Sequence, residues 1–459
     1  MSANSSWLYR RPSNYIQNSV LVLFAFATAF FPRILNSVGL PSAINFVHFL
    51  IVPLACTIVI AKTKVKNKSQ IAISEYLIFG LLILLISMTA SALLNKAGVI
   101  NLFLEFLLLT EPFIVILTIV CLPLSPKTLK RFRAWVLGFI GIHIFLAFAQ
   151  WLFIKIGILA VTRMQPTDNV QGVFYLSGSG HVVGSSVSLS FGLYYLFAAK
   201  NAPKWLRVSI FGATFFQLLF ADAKQVLLVF VLAWFLLILL RLNDIRTTLQ
   251  YIIGGILISY ALYWCIYNVD AFSAFRGWIR PELYGPDGAA TLLKLAPLRI
   301  IPTFYKSPLN LLFGLGPGHS VERLGGFMLN DYSALLKPLG ATTHPATQAV
   351  WNAFYENSWL NSSFFSPFWG WAGIWGDLGI LGLGFYLYLA FIVWRRLCLD
   401  DLSRFTMLTV LLFGFIFTQL EEPGYMLSMA ILIGLRWHEL QVHKLSLPTI
   451  SNEVQHANR

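Results

Sequence analysis

Blocks of about twenty apolar residues recur along this chain. Each is long enough to cross about 30 Å of hydrocarbon as a helix rising about 1.5 Å per residue. Charged types make up 11% of the 459 residues and hydrophobic types 57%, whereas an ordinary soluble domain is about a quarter charged. That excludes a soluble globular protein. The blocks lie at about 17–32, 43–61, 71–94, 98–122, 134–157, 181–199, 205–221, 224–241, 248–267, 369–394, 404–420 and 424–441. They predict an all-α polytopic membrane protein of about twelve spans. No linker, low-complexity stretch or visible repeat divides residues 1–459, so the chain reads as one integral membrane domain.

The net charge of +14 raises the question of nucleic acid. Its distribution argues against that partner, because the basic residues fall in short clusters between apolar blocks rather than along one stripe. Every second connection is basic, at Lys62–Lys68, Lys127–Arg133, Lys200–Arg207, Arg241–Arg246 and Arg395–Arg404. Together these carry 16 lysines and arginines, against five in the short connections opposite: Arg33, Lys96, Lys155, Arg163 and Lys224. The positive-inside rule then places both termini in the cytoplasm. The first block follows Arg10 and Arg11 without a small-residue cleavage site, so it reads as a retained helix. Cys56, Cys121, Cys265 and Cys398 lie in or beside apolar blocks with no CxxC pair, which supports neither a disulfide framework nor a zinc site.

One connection, about 268–368, dwarfs the others and falls on the outer side. It is rich in aromatic residues and carries both signs of charge, including Arg299, Glu322, Arg323 and Lys337. A loop of that length without structure is improbable. Apolar residues at helical spacing predict a helix over about Ala289–Tyr305 and another near Gly340–Phe354. Both are expected as short helices at the outer membrane surface.

Ionisable residues inside spans are costly and ask for a reason. Glu105 and Glu111 lie on the fourth span, six residues apart and on different faces. They are expected to pair with polar groups in the bundle, and His48 and His143 to be hydrogen-bonded core residues. Asp222 and Lys224 join two spans with almost no loop. The lysine there either reaches an anionic headgroup or pyrophosphate, or forms a local ion pair that caps the hairpin. Glu421 and Glu422 precede Pro423-Gly424, a plain turn in one reading. In the other they are carboxylates whose mutual repulsion is relieved by a nearby cation, from Lys224 or an arginine of the long loop. Two outer segments are rich in glycine. One runs from Arg163 to His181, with Asp168, Gly172-Val173-Phe174 and Ser177-Gly178-Ser179-Gly180; its glycines allow close backbone approach and leave N–H groups for an anion. The other is Phe313-Gly314-Leu315-Gly316-Pro317-Gly318-His319. Neither is a Walker loop, since no Gly-Lys-Ser follows.

The ordered set of these elements resembles the O-antigen polymerase and O-antigen ligase superfamily. It consists of Gly172-Val173-Phe174 before a span, Ala221-Asp222-Ala223-Lys224 entering a span, Phe313–Gly318 in a long outer loop, and Asp377-Leu378-Gly379-Ile380-Leu381-Gly382 on the helix after it. The resemblance covers roughly Arg163–Gly424. It implies an enzyme in the bacterial inner membrane that takes a glycan from a polyprenyl-pyrophosphate lipid and joins it to a second glycan at the outer face, with neither cofactor nor required metal. A polymerase adds it to a lipid-linked repeat unit; a ligase adds it to lipid A-core. Two departures bear on the choice. Ligase-like members carry a histidine about where this chain has Ser366-Pro367-Phe368, and the nearest upstream here is His344. The basic residue entering the eighth span is commonly arginine and is Lys224 here, which keeps the charge without the bidentate fork. The first departure speaks against a ligase and leaves the polymerase as the expected activity.

Charge builds on the leaving pyrophosphate as the bond to the anomeric carbon breaks, and preorganised cations stabilise it. Arg163, Lys224 and Arg299 are the expected pyrophosphate-binding residues. Glu421, Glu422 and His344 are the candidates to accept the acceptor hydroxyl's proton. Gly172, Gly314, Gly316, Gly318, His319 and Asp377 are expected either to contact the glycan or to shape the loops around it. Expected partners are donor and acceptor glycans, membrane lipid, a chain-length regulator and a flippase, with no nucleic acid. The competing classes are a lipid-linked oligosaccharide flippase, which should show broken helices or midplane charges, and a sensor or scaffold.

Overall fold

A computed structural model describes residues 17–63, 67–161, 165–241, 245–269, 272, 275–276, 281–360 and 362–446. The described residues are helical or irregular, with no strand among them. Each apolar block contains a helix. In chain order these are α1 (Asn18–Phe30), α2 (Val47–Lys62), α3 (Lys68–Asn95), α4 (Val99–Cys121), α5 (Pro126–Lys155), α6 (Gly180–Ala198), α7 (Lys204–Phe220), α8 (Lys224–Leu239) and α9 (Ile245–Asn268). After the long connection, which contains α10 (Pro345–Glu356), come α11 (Gly370–Arg396), α12 (Asp401–Phe413) and α13 (Pro423–Ser446). Seven helices among the described residues are long and apolar enough to cross a membrane: α3, α4, α5, α6, α11, α2 with the turn before it (Ser42–Lys62), and Thr248–Asn268 of α9. They mark a membrane protein.

Local chemistry sets several helix ends. The Asn67 side chain accepts from the Ser69 N–H at 2.9 Å to start α3. Ser125 caps α5, with Pro126 at its first position. Asp400 and Ser403 form a reciprocal capping box at α12. The block at 404–420 is helical only to Phe413. There the Trp371 indole occupies the space a Gly414 side chain would fill and donates to the Leu411 carbonyl at 2.9 Å. The chain beyond turns so that the Gly414 and Phe417 carbonyls accept from the first N–H groups of α11.

The helix expected over Ala289–Tyr305 is three pieces: Ala289–Lys294, Ala296–Ile300 and a 3-10 turn at Ile301–Phe304. Pro297 and Pro302 explain the breaks, since proline has no N–H to donate to the carbonyl four residues earlier and its ring clashes with that carbonyl. The second expected helix is α10, which begins five residues later than the sequence suggested. Its first N–H groups are capped by His344, whose Nδ1 accepts from the Ala346 N–H at 3.2 Å.

α4 is the central helix, with 83% of its apolar window buried, whereas none of the α9 window is buried. α2, α3 and α13 pack on α4, and α3 also packs on α11. The central position explains why α4 carries polar residues: they face protein rather than lipid. Glu111 bonds His48 Nδ1 at 2.8 Å, and His143 Nε2 lies 3.1 Å from the Gly184 carbonyl, so all three are satisfied within the bundle.

Candidate functional site

α11 is broken at Gly379, where φ is 67° and ψ is −166°. The glycine turn of the long connection docks into this break. The Leu315 N–H donates to the Gly376 carbonyl at 2.8 Å, and the Gly316 N–H to the Asp377 carbonyl at 3.0 Å. The Asp377 carboxylate accepts from the N–H groups of Gly318 (2.9 Å) and His319 (3.1 Å). From α4, Glu105 also accepts from Gly318, and Asn101 donates to the Pro317 carbonyl at 2.9 Å. The fit is reciprocal. A Cβ on Gly314, at φ 71°, would lie 2.4 Å from the Asp377 carbonyl; one on Gly379 would lie 2.3 Å from that of Leu312. Both positions therefore require glycine. Gly314, Gly316, Gly318, His319 and Asp377 thus come together in a structural interlock.

His319 braces this turn. Its Nδ1 donates to the Leu315 carbonyl (2.9 Å) and its Nε2 accepts from Thr342 Oγ1 (2.8 Å). Burial pulls its pKa down to about 4, which keeps the ring neutral. The His344 ring stacks on it with centroids 5.3 Å apart. Gly172 packs its backbone against His143, and its N–H donates to Gln150 Oε1 at 2.7 Å. The neighbouring N–H groups of Gln171 and Val173 go to Gln150 and His143. This corrects the expectation that the segment leaves these N–H groups for an anion.

A cavity of about 430 Å³ lies beside the interlock. Six separate stretches of the chain wall it. Arg33 comes from the short helix Pro32–Ser37 that follows α1. Asp168 and Ser179 come from the approach to α6, and His181 from its first turn. Arg323, Phe327 and Tyr332 follow the glycine turn, and Trp351, Phe354, Phe368 and Phe417 complete an aromatic side. The ring centroids of Trp351 and Phe368 are 4.4 Å apart, and those of Phe327 and Phe417 are 5.3 Å apart. Arg33 donates to the Tyr332 hydroxyl at 3.3 Å. Among the described residues no carboxylate lies within salt-bridge distance of Arg33. Arg323 pairs with Glu422 through its guanidinium and donates its backbone N–H to Glu421. His181 Nε2 stands 3.8 Å from Asp168 Oδ1.

The residues nominated for pyrophosphate fare differently. Arg163 lies outside the described residues. Lys224 is buried and ion-paired with Asp222, which matches the hairpin-capping alternative. It does not line the cavity, although its neighbour Gln225 donates to the wall residue Ser363 at 2.8 Å. Arg299 is exposed, donates to the Leu292 carbonyl at 2.6 Å, and is not part of the wall. Glu421 is fully buried behind Arg323, and burial pushes its pKa up to about 8. Glu422 and Pro423 line a small adjoining cleft that also includes Arg33, Arg323 and Tyr332. Of the two readings of Glu421 and Glu422, the geometry matches the one with a nearby cation, and the cation is Arg323.

Sequence reasoning missed Arg33 and Arg323 as site residues. Each is a single arginine without a motif, and they are brought together by a fold that joins positions nearly three hundred residues apart. Asp168 and His181 were visible inside a glycine-rich segment but not as a pair, because twelve residues of irregular chain separate them. No family model matches the chain, and no curated protein sequence matches it.

Proposed function

We propose that this protein is a polymerase-type glycosyltransferase that joins polyprenyl-pyrophosphate-linked oligosaccharide units at the outer face of a bacterial inner membrane. The reading includes twelve spans with both termini in the cytoplasm and the long connection outside. The observation that carries it is the cavity wall, which sets two guanidiniums and a histidine–carboxylate pair against an aromatic side. A pyrophosphate-linked sugar needs that combination. Guanidiniums bind phosphate oxygens bidentately, and aromatic faces pack against the apolar faces of sugar rings.

In this reading Arg33 and Arg323 hold the donor pyrophosphate. Glu421 and Glu422 fix Arg323 from behind and thereby orient its fork. The acceptor hydroxyl oxygen attacks the anomeric carbon, its proton passes to His181, and the bond from that carbon to the pyrophosphate oxygen breaks. Polyprenyl pyrophosphate leaves, with its growing charge stabilised by the guanidiniums. Asp168 favours the protonated imidazole that forms.

The test is polymer formation by purified protein supplied with lipid-linked repeat units. Arg33→Ala and His181→Ala should each abolish chain growth while the protein still inserts and purifies as a single species. Full-length polymer from both variants would remove the cavity from the reaction. The break in α11 favours a second reading, a lipid-linked oligosaccharide transporter, since interrupted helices beside buried charge are features of such proteins. Movement of the donor across a vesicle bilayer without any new glycosidic bond would select it.

A further inference from the structure

Three carboxylates from distant parts of the chain converge behind the glycine turn: Glu105 on α4, Glu322 after the turn, and Asp377 at the break in α11. One oxygen from each lies within 4.8 Å of one from each of the others, and all three residues are fully buried. Asp377 is partly satisfied by the Gly318 and His319 N–H groups, and Glu105 Oε2 by Gly318. Glu322 differs. Neither of its carboxylate oxygens has a hydrogen-bond donor, and Glu105 Oε1 has none. The side chain is nonetheless held firmly. Gly373 leaves the space it occupies, since a Cβ there would come within 2.4 Å of Glu322 Cγ. The next residue, Arg323, directs its guanidinium to Glu422 and its N–H to Glu421, so it leaves this group of three uncompensated.

Buried carboxylates at this density need a positive charge. The donor atoms are all oxygens, which suits a hard cation, and calcium accepts several carboxylates in a flexible shell, whereas magnesium demands a near-ideal octahedron and usually keeps several waters, which three fully buried carboxylates do not favour. We propose that Glu105, Glu322 and Asp377 bind one calcium ion, which ties the central helix, the segment carrying Arg323 and the broken helix into one unit. The ion holds Glu322 in place, and with it the backbone of Arg323 at the cavity wall. Its role is positioning, and it does not depend on the glycosyltransferase reading.

The experiment uses the full chain purified in detergent, stripped with a chelator and dialysed against radioactive calcium. One calcium should bind per chain, and the melting temperature should rise with millimolar calcium and fall again with chelator. Glu322→Gln should lose the bound calcium, whereas Glu356→Gln, an exposed glutamate of α10, should keep it. Two results overturn the proposal. One is no saturable calcium on the wild-type protein, with identical melting in calcium and chelator at neutral and alkaline pH; protons rather than a cation would then neutralise the cluster. The other is unchanged stoichiometry in Glu322→Gln, which would place the ion elsewhere. The wild-type measurement decides the matter even if the variant does not fold, and neither readout requires activity.

Discussion

The backbone N–H of Gly318 donates to Asp377 Oδ2 at 2.9 Å, so a carboxylate at a helix break holds the tip of a tight turn 59 residues earlier in the chain. The other carboxylate oxygen accepts from His319. An amide at this position presents one acceptor and one donor, and the donor would face an N–H. Asp377→Asn is expected to lower stability by about 1.5–3 kcal/mol, the usual range for a hydrogen bond to a charged group. The loss should register as a lower melting temperature of the detergent-purified protein.

Gly379→Ala should be severe. Its φ of 67° is unfavourable for any residue with a side chain, and the new Cβ would meet the Leu312 carbonyl at 2.3 Å. Strain of this kind costs on the order of 1–3 kcal/mol before the clash is counted. Gly384→Ala, on the same helix with nothing within 4 Å of its would-be Cβ, should be neutral. Size-exclusion profiles of the two variants after solubilisation should separate them.

Arg323 tests the cavity. Arg323→Lys keeps a positive charge but loses the planar fork that meets Glu422. Polymer formation should fall about ten- to a hundredfold in the lysine variant and further in Arg323→Ala, in line with the loss of one preorganised donor. Wild-type rates in both would leave Arg323 a structural residue only.

Glu421 gives a pH dependence with a definite sign. Burial is the larger influence on its carboxyl, and the N–H and charge of Arg323 oppose it, leaving a pKa of about 8 against the ordinary 4.5. A raised folded-state pKa contributes stability that is fully present below about pH 4.5 and is lost as the pH climbs through about 8. Wild-type protein should therefore lose melting temperature between pH 5 and 9 relative to Glu421→Gln, which cannot titrate. Parallel curves for the two proteins would show that Glu421 holds no proton in the folded state.

Lys294 is a half-buried clamp. Its Nζ donates to the carbonyls of Phe364 (2.9 Å), Ser366 (3.1 Å) and Ile416 (2.8 Å), joining the short helix at 289–294 to the chain before α11 and after α12. Lys294→Met would fill much of the space but leave these carbonyls without the ammonium donor. A loss of roughly 2–4 kcal/mol is expected if two or three go unsatisfied at about 1–3 kcal/mol each and the site partly relaxes. Chemical denaturation of the purified variant would measure it.

Much of the helical framework was legible in the sequence. All twelve apolar blocks contain helices, and their starts agree within a few residues except at α5 and near the long connection. α5 begins eight residues before the apolar block because Ser125 and Pro126 start it within the basic cluster. The helix after the long turn begins late because His344 and Pro345 form its cap, a signal the apolar spacing did not carry. The glycine turn and Asp377 were legible as related elements, yet their relation is a mutual steric fit that neither sequence contains alone. Lys224 and Arg299 stand out by charge and position along the chain; in the fold one is spent on Asp222 and the other is exposed and does not line the cavity.

The sequence by itself determined that this chain is a helical membrane protein and where its helices run. Backbone groups in hydrocarbon have no water to bond, so an apolar block of sufficient length has only the helix available, and that is a local constraint. Only the tertiary structure decided which polar side chains share a wall. Arg33 meets Tyr332 across 299 residues, and Glu105, Glu322 and Asp377 meet from three separate segments. Such meetings depend on which helix is central and where one helix breaks, and these follow from packing among all the helices at once rather than from any one of them.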